Sequence, residues 1–308
     1  MPLRTLVIAN PASAAGRTER TLPRLEAQLR AAVGAYELVW TKCPRDAERI
    51  AREAVRAGVE RLIVAGGDGT AAEVVSGLLG AALGSYAEVA FLPLGTGADF
   101  QRTLDIPRDP AAAIAALAPG KGRRIDVGRV RYADAAGAEQ CSHFLNVASA
   151  GLSGVVTRHV RGSKALGARL SFLLGTLAGL VRFQPSSVCL RVDGVEVFRG
   201  GVALAAVANG RYFGGGMQVA PNARPDDGLL DLVIIPALPK SVLVARLPRL
   251  YRGTHFAVPG VAQHRGRCIE LEPLGPPALG EIDGEPVAQL PMRGEGVPGA
   301  LQVWGAGA

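Results

Sequence analysis

The chain contains few lysines and few aromatic residues. Only four of its 34 basic residues are lysine, and aromatic residues make up 5% of the 308 positions. Proteins that bind single-stranded nucleic acid combine a basic surface with interleaved aromatic side chains, so this composition argues against a nucleic-acid partner. The formal net charge of +7 still favours an anionic partner, such as a nucleotide or an acidic membrane surface.

Closely spaced cysteines and long apolar runs are also missing. The four cysteines, Cys43, Cys141, Cys189 and Cys268, form no C-x-x-C pair, which indicates reduced thiols rather than a zinc site or a disulfide framework. The apolar run near the N-terminus is too short for a signal peptide. The longest apolar stretch, at residues 170–181, is about half of what a bilayer span requires. We therefore expect a cytoplasmic protein whose membrane contact is peripheral, at the inner face.

Strands and helices alternate in the first third of the sequence. Apolar runs predict strands at 6–9, 36–40, 62–65 and 89–92, and helical spacing of apolar residues lies between them. This alternation is typical of a parallel sheet, whose ligands gather at the carboxyl ends of the strands. Four residues follow these predicted strands and are expected at one edge of the sheet: Asn10, Thr41, Gly66 and Gly95.

Short β-type runs dominate after residue 124. They lie at 125–130, 144–148, 188–192, 202–207, 229–235 and 269–271, and helices are expected at 164–181 and 241–250. We predict an α/β nucleotide-binding domain at 1–124 and a larger, mainly antiparallel, β-sandwich-like domain at 125–308, with the site in the cleft between them. The sequence leaves open which of the two domains the run at 300–304 pairs with.

The segment Gly66-Gly67-Asp68-Gly69-Thr70 is the most informative one in the chain. Its three glycines leave backbone N–H groups uncovered at the expected start of a helix, an arrangement that favours a phosphate group. Asp68 is either an ordinary helix cap or an acid that works through a divalent cation. The segment therefore suggests a nucleotide site, although short glycine motifs also occur in ordinary turns.

Further acidic residues stand in turns along the chain. Asp99 follows the small-residue turn at 95–97 and is either a helix cap or a second magnesium ligand. Asp126 and the acids at 226–231 are turn residues, salt-bridge partners or cation ligands. Asp283 and Glu285 flank Gly284 in a charged turn.

These segments together resemble the diacylglycerol kinase catalytic family, which includes bacterial lipid kinases and the sphingosine and ceramide kinases. The resemblance rests on the Gly66–Thr70 turn with Glu73, the 93–97 segment with Asp99 and Arg102, the 226–231 segment, and the late 283–285 turn. It covers nearly the whole chain in order and spacing.

The resemblance implies a role for each matching residue. ATP contacts fall on Asn10, Thr41, Gly66, Gly67, Asp68, Gly69, Thr70, Glu73, Gly95 and Thr96. The catalytic magnesium is organised by Asp68, Asp99 and Asp126, and a structural magnesium site by Asp227 with the carbonyls of Arg224 and Leu229. Asp283 matches the general base, with Glu285 as the neighbouring alternative.

The sequence departs from the family pattern at two points. Ala98 stands where the family usually has asparagine, and the loop at 10–17 differs from the usual Asn-Pro-x-(Ser/Gly)-Gly pattern. The expected function is ATP- and Mg²⁺-dependent phosphorylation of a lipid hydroxyl at the membrane surface. An NAD kinase-like enzyme with a soluble substrate and a non-catalytic nucleotide- or lipid-binding regulator are the alternatives. A homodimer is a further possibility that the sequence leaves open.

Overall fold

The computed structural model describes residues 3–81, 87–117, 122–160, 168–276 and 278–305. The chain divides into two compact units, Met1–Ile125 with Gly299–Ala308, and Asp126–Pro298. It passes from one unit to the other within two long strands, β5 (Gly122–Ala133) and β14 (Glu285–Trp304).

The first unit is built on a parallel sheet with strand order β2-β1-β3-β4. The strands are β1 (Thr5–Ala9), β2 (Glu37–Trp40), β3 (Arg61–Gly66) and β4 (Glu88–Pro93). The end of β14 pairs in parallel with β4, with Gln302 opposite Glu88 and Val303 opposite Val89. Strands β1, β3 and β4 are almost wholly buried. Such continuous burial requires the unbroken apolar runs seen in the sequence.

Helices connect these strands. They are α1 (Ser13–Thr21), α2 (Glu26–Val33), α3 (Asp46–Arg56), α4 (Asp68–Leu79), α5 (Asp99–Thr103) and α6 (Pro110–Ala115). Helix α3 buries Ala47, Ile50, Ala51 and Val55 on one face, as its spacing predicts. Helix α1 is irregular, because Ala14, Ala15 and Gly16 have left-handed backbone angles. The expected α/β architecture of this unit is confirmed.

The second unit is mainly antiparallel, as predicted. Besides most of β5 and β14 it contains β6 (Glu139–Phe144), β7 (Val147–Gly151), β8 (Ser186–Val192), β9 (Val195–Ala208), β10 (Leu230–Pro236), β11 (Ala262–Gly266), β12 (Cys268–Pro273) and β13 (Leu279–Ile282). Strand β9 pairs with β7, β8 and β10, and β13 pairs with β7 and β14. All of these pairs are antiparallel.

Two apolar layers cover the two faces of β9 and β10. Val207 and Leu232 pack into one layer with strands β8 and β12, whereas Ala206 and Val233 pack into the other. Burial on both faces explains why residues 202–207 form a continuous apolar run. The helices of this unit are α7 (Leu152–Val160), α8 (Ala168–Arg182) and α9 (Lys240–Arg252). The predicted start of α8 at residues 164–167 lies outside the described residues.

The structure corrects one strand prediction. Residues 144–148 form the end of β6 and the start of β7, not one strand, because Leu145 and Asn146 turn between them. An apolar run alone does not reveal such a break, because the side chain that accepts the backbone amides of this turn, Asp283, lies far along the chain.

Candidate active site

The strand-end residues of the first unit contact one another. Asn10 follows β1, and its side-chain amide donates a hydrogen bond to Thr70 Oγ1 at 3.1 Å. Asn10 Oδ1 accepts from the backbone of Ala12 at 3.0 Å. The Thr41 amide donates to Ala9 O at 2.9 Å, which places Thr41 beside β1. Asn10 and Thr41 therefore lie at one edge of the sheet, as predicted, and Asn10 contacts Thr70 there.

Two glycine turns approach each other at the same edge. The Gly95 amide donates to Gly66 O at 3.0 Å. A Cβ on Gly95 would lie 2.3 Å from the Cα of Gly67, a distance that real side chains do not adopt. Gly95 therefore has no room for a larger residue, and the two turns lie in backbone contact.

Asp68 joins the two turns. Its carboxylate accepts hydrogen bonds from the amides of Asp99 at 2.9 Å and Phe100 at 3.0 Å, so that it caps helix α5. Gly97 leaves the space for it, since a Cβ there would lie 2.7 Å from Asp68 Oδ2. Burial raises the pKa of Asp68, while these amides and Arg102 lower it. Asp68 is thus both a cap and a desolvated acid.

The other predicted residues of this unit differ in their surroundings. Asp99 is buried and forms an ion pair with Arg102 in the next turn of α5. Glu73 Oε2 accepts from the Ala47 amide at 3.3 Å, at the start of α3. Thr96 is exposed. The structure therefore brings Asp68 and Asp99 together, whereas Glu73 contacts a helix start.

The predicted acids of the second unit form a separate group. Asp126 exchanges backbone and side-chain bonds with the turn before β10, donating its amide to Pro225 O at 2.6 Å and accepting from the Gly228 amide at 2.6 Å. Asp227 accepts from the Leu229 amide at 3.1 Å and forms an ion pair with Arg265.

Arg265 also reaches Asp231, the buried acid at the end of the 226–231 segment. Its Nε lies 3.2 Å from Asp231 Oδ1, which accepts from Gln263 at 2.6 Å. Burial raises the pKa of Asp231, the Gln263 bond and Arg265 lower it, and Asp227 raises it further. Arg224 lies 3.6 Å from Asp226. Within the described part of the chain, no three His, Cys, Asp or Glu side chains gather closely enough to hold a metal ion.

Asp283 holds the break between β6 and β7. Its carboxylate accepts from the amides of Leu145 at 2.6 Å, Asn146 at 2.9 Å and Val147 at 3.0 Å. Its own amide donates to Val147 O at 2.9 Å. The residue has a left-handed φ of 45° in the hairpin between β13 and β14. Hydrogen bonds from three backbone amides therefore fix the orientation of this carboxylate. The neighbouring Glu285 is exposed.

Two buried side chains near Asp283 were not identified from the sequence. Glu281 is 2% exposed, and its carboxylate accepts from Ser149 Oγ and, at 2.6 Å, from the Gly284 amide. Burial raises the pKa of Glu281 to about 7; the Ser149 and Gly284 bonds lower it, and Asp283 and Glu285 raise it. An acidic residue in a charged turn is usually at the surface, so the sequence gives no indication that Glu281 is buried.

Asn209 is the second of these side chains. Its Nδ2 donates to Leu145 O at 2.8 Å and to Asp126 O at 3.1 Å. Its Oδ1 is buried and has no hydrogen-bond partner among the described residues. A buried acceptor without a partner costs free energy, and it is therefore a candidate for a bond to a ligand hydroxyl.

An apolar pocket of about 540 Å³, mouth included, lies in the second unit. Helices α7, α8 and α9 and strands β9 and β10 contribute its walls. Most of the lining is aliphatic or aromatic, and it includes Val156, Leu180, Leu204, Phe213 and Leu247. Because this lining is almost wholly apolar, it suits a hydrocarbon chain.

Family models match both units. The diacylglycerol kinase catalytic domain matches residues 4–130, and the YegS C-terminal NAD kinase beta sandwich-like domain matches residues 146–305. A diacylglycerol kinase of Mycobacterium tuberculosis is 31% identical over 259 residues, which cover 84% of this chain and 81% of that protein. The chain belongs to the diacylglycerol kinase family of lipid kinases.

Other relatives agree with this assignment. A probable YegS-like lipid kinase of Pseudomonas aeruginosa is 36% identical over 260 residues, 84% of this chain and 80% of the relative. A crystal structure of a diacylglycerol kinase from Bacillus anthracis has a TM-score of 0.74 at 23% identity, over 98% of this chain and 96% of that one. The latter likeness shows the fold. The predicted family, fold class and enzyme class are confirmed.

For this lipid kinase, the roles of individual residues stay predictions. The residues concerned lie in three places: the strand-end turns of the first unit, the Asp126–Asp227 group and the Asp283 group. No helix among the described residues has the length and apolar character that crossing a bilayer demands.

Proposed function

We propose that this lipid kinase transfers the γ-phosphoryl group of ATP to a hydroxyl of a lipid in a magnesium-dependent reaction. Diacylglycerol, phosphatidylglycerol and sphingoid bases are the candidate acceptors. The observation that carries the proposal is the apolar pocket in the same unit as Asp283. That unit supplies both a place for an acyl chain and an oriented carboxylate.

The first unit would bind ATP at its strand-end turns. Helix α4 begins at Asp68, directly after Gly67, and the first amides of a helix attract anions. Gly67 and Gly95 are in backbone contact, and because neither residue has a Cβ, no side chain would keep a phosphate group away. Positioning of this kind is the main protein contribution to phosphoryl transfer.

Asp68 and Asp99 would be the protein ligands of the magnesium ion. Mg²⁺ takes oxygen ligands and is usually held by one or two carboxylates together with phosphate oxygens and water. The amide of Asp99 donates to Asp68 Oδ2, so the two residues are adjacent. Desolvation raises the pKa of Asp68, and a divalent cation would offset that unfavourable burial of charge. The ion would neutralise charge on the transferred group.

A second, structural magnesium is proposed at Asp227 with the carbonyls of Arg224 and Leu229, and Asp126 would assist the catalytic ion through water. Asp227 is already paired with Arg265. A cation at this position would therefore share the carboxylate with Arg265 or displace it.

Asp283 would remove the proton from the lipid hydroxyl as it attacks the phosphorus. The three amides that bind its carboxylate hold it in one orientation, as a general base requires. Glu285, two residues later and exposed, is the alternative base.

The acyl chain would occupy the apolar pocket. Helix α8 supplies Thr176 and Leu180 to the lining. The sequence leaves open whether the apolar stretch at 166–181, with Arg169 and Arg182, faces lipid or is a core helix; Leu166 and the side chains of these two arginines lie outside the described residues.

The same helix presents an exposed apolar face. Leu174, Leu177 and Val181 are 47%, 38% and 75% exposed and recur at helical spacing. Val244 of α9 is 42% exposed, and the exposed Arg246 follows two residues later. Apolar residues with nearby arginine favour the surface of an anionic bilayer, so we propose peripheral contact of the lipid kinase through α8 and α9.

A labelled-ATP assay tests the proposal. The protein is incubated with [γ-³²P]ATP and, in turn, vesicles containing each candidate lipid, and with NAD, in the presence of Mg²⁺ or of EDTA. We expect a labelled lipid that disappears with EDTA. Label on NAD alone would favour the soluble-substrate alternative, and ATP binding without any labelled product would favour a regulator.

Asp283→Asn tests the base. Asparagine keeps an acceptor for the backbone amides but cannot take up the hydroxyl proton, so turnover should fall by about 10²- to 10⁴-fold. Asp134→Asn is the matched control, because Asp134 also accepts two backbone amides in a turn, at 2.9 and 3.0 Å, on an exposed hairpin. Unchanged turnover in Asp283→Asn would remove Asp283 from the mechanism.

A further inference from the structure

A polar residue interrupts the apolar lining of the pocket. Ser153 stands in the first turn of α7 and lines the pocket beside Leu152 and Val156. It is 5% exposed. Because a hydroxyl in an apolar wall needs hydrogen-bond partners, its connections determine what it presents to the pocket.

Ser153 is connected to Glu281 through one intermediate hydroxyl. Ser149 Oγ lies 2.8 Å from Ser153 Oγ and donates to Glu281 Oε1. Ser149 and Glu281 are direct cross-strand partners on β7 and β13, and α7 follows β7 immediately. The chain Ser153–Ser149–Glu281 therefore runs from the pocket wall to the residue two positions before Asp283.

Close packing holds this chain in place. A Cβ on Gly154 would lie 2.5 Å from Leu279 O, so the start of α7 rests directly on the backbone of β13. The second oxygen of Glu281 is fixed by the Gly284 amide at 2.6 Å. The three side chains are therefore confined to a narrow set of hydrogen-bond patterns.

Each serine has one hydroxyl proton to donate, so the hydrogen bonds that link Ser153, Ser149 and Glu281 can run in either of two donor-to-acceptor directions. When Glu281 is ionised, Ser149 donates to it, Ser153 donates to Ser149, and the pocket sees only an acceptor. When Glu281 is protonated, it can donate to Ser149, Ser149 to Ser153, and the Ser153 proton is released towards the pocket. The protonation of one buried acid thus sets the polarity of the pocket wall.

We propose that Ser153 is a specificity-determining residue, which donates a hydrogen bond to an ester carbonyl oxygen of the acceptor lipid when Glu281 is protonated. An ester carbonyl is the first polar group next to an acyl chain, and it only accepts hydrogen bonds. The inference rests on the proposed function, since it places the acceptor lipid in the apolar pocket.

The charges around Glu281 keep both states within reach. Burial is the main cause of its raised pKa of about 7, and the nearby carboxylates of Asp283 and Glu285 raise it further. The bonds from Ser149 and Gly284 oppose this shift. Near neutral pH the hydrogen bonds that link Ser153, Ser149 and Glu281 therefore run in both directions, and recognition of the ester weakens as pH rises.

The test compares a diacylglycerol with the dialkyl ether of the same chain length. Both carry the same hydroxyl, but only the first has ester carbonyls. We expect wild-type KM to be about fivefold lower for the ester at low pH, the size of one neutral hydrogen bond, and this preference to fade above about pH 7. The ratio of the two KM values cancels any pH effect on Asp283.

Three variants separate the steps of the chain. Ser153→Ala should remove the ester preference at every pH, whereas Ser149→Ala should make it independent of pH. Glu281→Gln should preserve the ester preference at high pH, because the glutamine amide always donates a hydrogen bond to Ser149. Thr157→Val is the matched control on α7, since Thr157 Oγ1 bonds only carbonyls of its own helix at 3.0 and 3.2 Å in the described structure.

Direct binding keeps this test independent of turnover. Equilibrium binding of fluorescent diacyl and dialkyl glycerols without ATP should show the same preference as KM. Equal binding of both lipids by the wild type and by Ser153→Ala would overturn the inference while leaving the kinase proposal intact. Ester-selective binding without transfer of label would leave the inference in place and reject the kinase proposal.

Discussion

Replacing Glu281 with glutamine should change how the stability of the protein depends on pH. Glu281 is 2% exposed, and burial raises its pKa from 4.5 to about 7. The folded state therefore keeps the proton more tightly than the unfolded chain does. The protonated carboxyl contributes stability that is complete below about pH 4.5 and is lost as pH rises through about 7.

The magnitude follows from the size of the shift. At about 1.4 kcal/mol per pKa unit, a change from 4.5 to about 7 corresponds to roughly 3 kcal/mol. Glutamine has the same shape, can donate to Ser149 and accept from the Gly284 amide, and does not titrate. The wild type should lose stability as pH rises, whereas Glu281→Gln should not. We therefore expect the difference in unfolding free energy, Glu281→Gln minus wild type, to increase by roughly 3 kcal/mol from about pH 4.5 to about pH 8.

Urea unfolding followed by circular dichroism at a series of pH values measures this difference. Glu139→Gln is the control, because Glu139 is an exposed carboxyl on β6 of the same unit. Its pH profile should run parallel to that of the wild type. A constant difference between Glu281→Gln and wild type from about pH 5 to about pH 8 would show that the carboxyl is not desolvated, and the reasoning would be refuted.

Three further predictions concern the turns and the exposed helix. Gly95→Ala should lower the melting temperature markedly, because its Cβ would lie 2.3 Å from backbone, whereas Gly69→Ala, with nothing within 4 Å, should not; thermal unfolding compares them. Asp283→Ala should cost at least about 2 kcal/mol of unfolding free energy, since three amides lose their acceptor, and Asp283→Asn should cost less; denaturant unfolding tests this. Leu177→Glu should weaken sedimentation with phosphatidylglycerol vesicles about tenfold, whereas Leu274→Glu should not, although Leu274 is 46% exposed, because it lies outside α8 and α9.

The strands of the first unit were predictable because their burial is uniform. Strands β1, β3 and β4 are covered on both faces, so the sequence shows apolar runs that stop at Asn10, Gly66 and Pro93. Local chemistry is sufficient in such a case: a run of apolar residues followed by a turn former marks both the strand and its carboxyl end. The position of the glycine turns follows from the same signal.

The second unit was harder to predict because its key contacts join distant residues. The break at Leu145 and Asn146 is stabilised by Asp283, which is 138 positions from Leu145. The burial of Glu281 depends on the pairing of β13 with β7, where Ser149 is its partner. Neither the register nor the depth of these strands is encoded in a short window, so the sequence suggested a surface turn.

The acids predicted from the sequence share a structural property with mechanistic consequences. Asp68 accepts the amides that begin α5, Asp126 accepts the Gly228 amide, and Asp283 accepts three amides at a strand break. In each case the backbone bonds that fold the turn also fix the direction of the carboxylate. Preorganised charge of this kind lowers a reaction barrier without reorganisation at the moment of transfer. An alanine at any of these positions would therefore remove orientation and fold support together, and only the asparagine variants separate the charge from the scaffold.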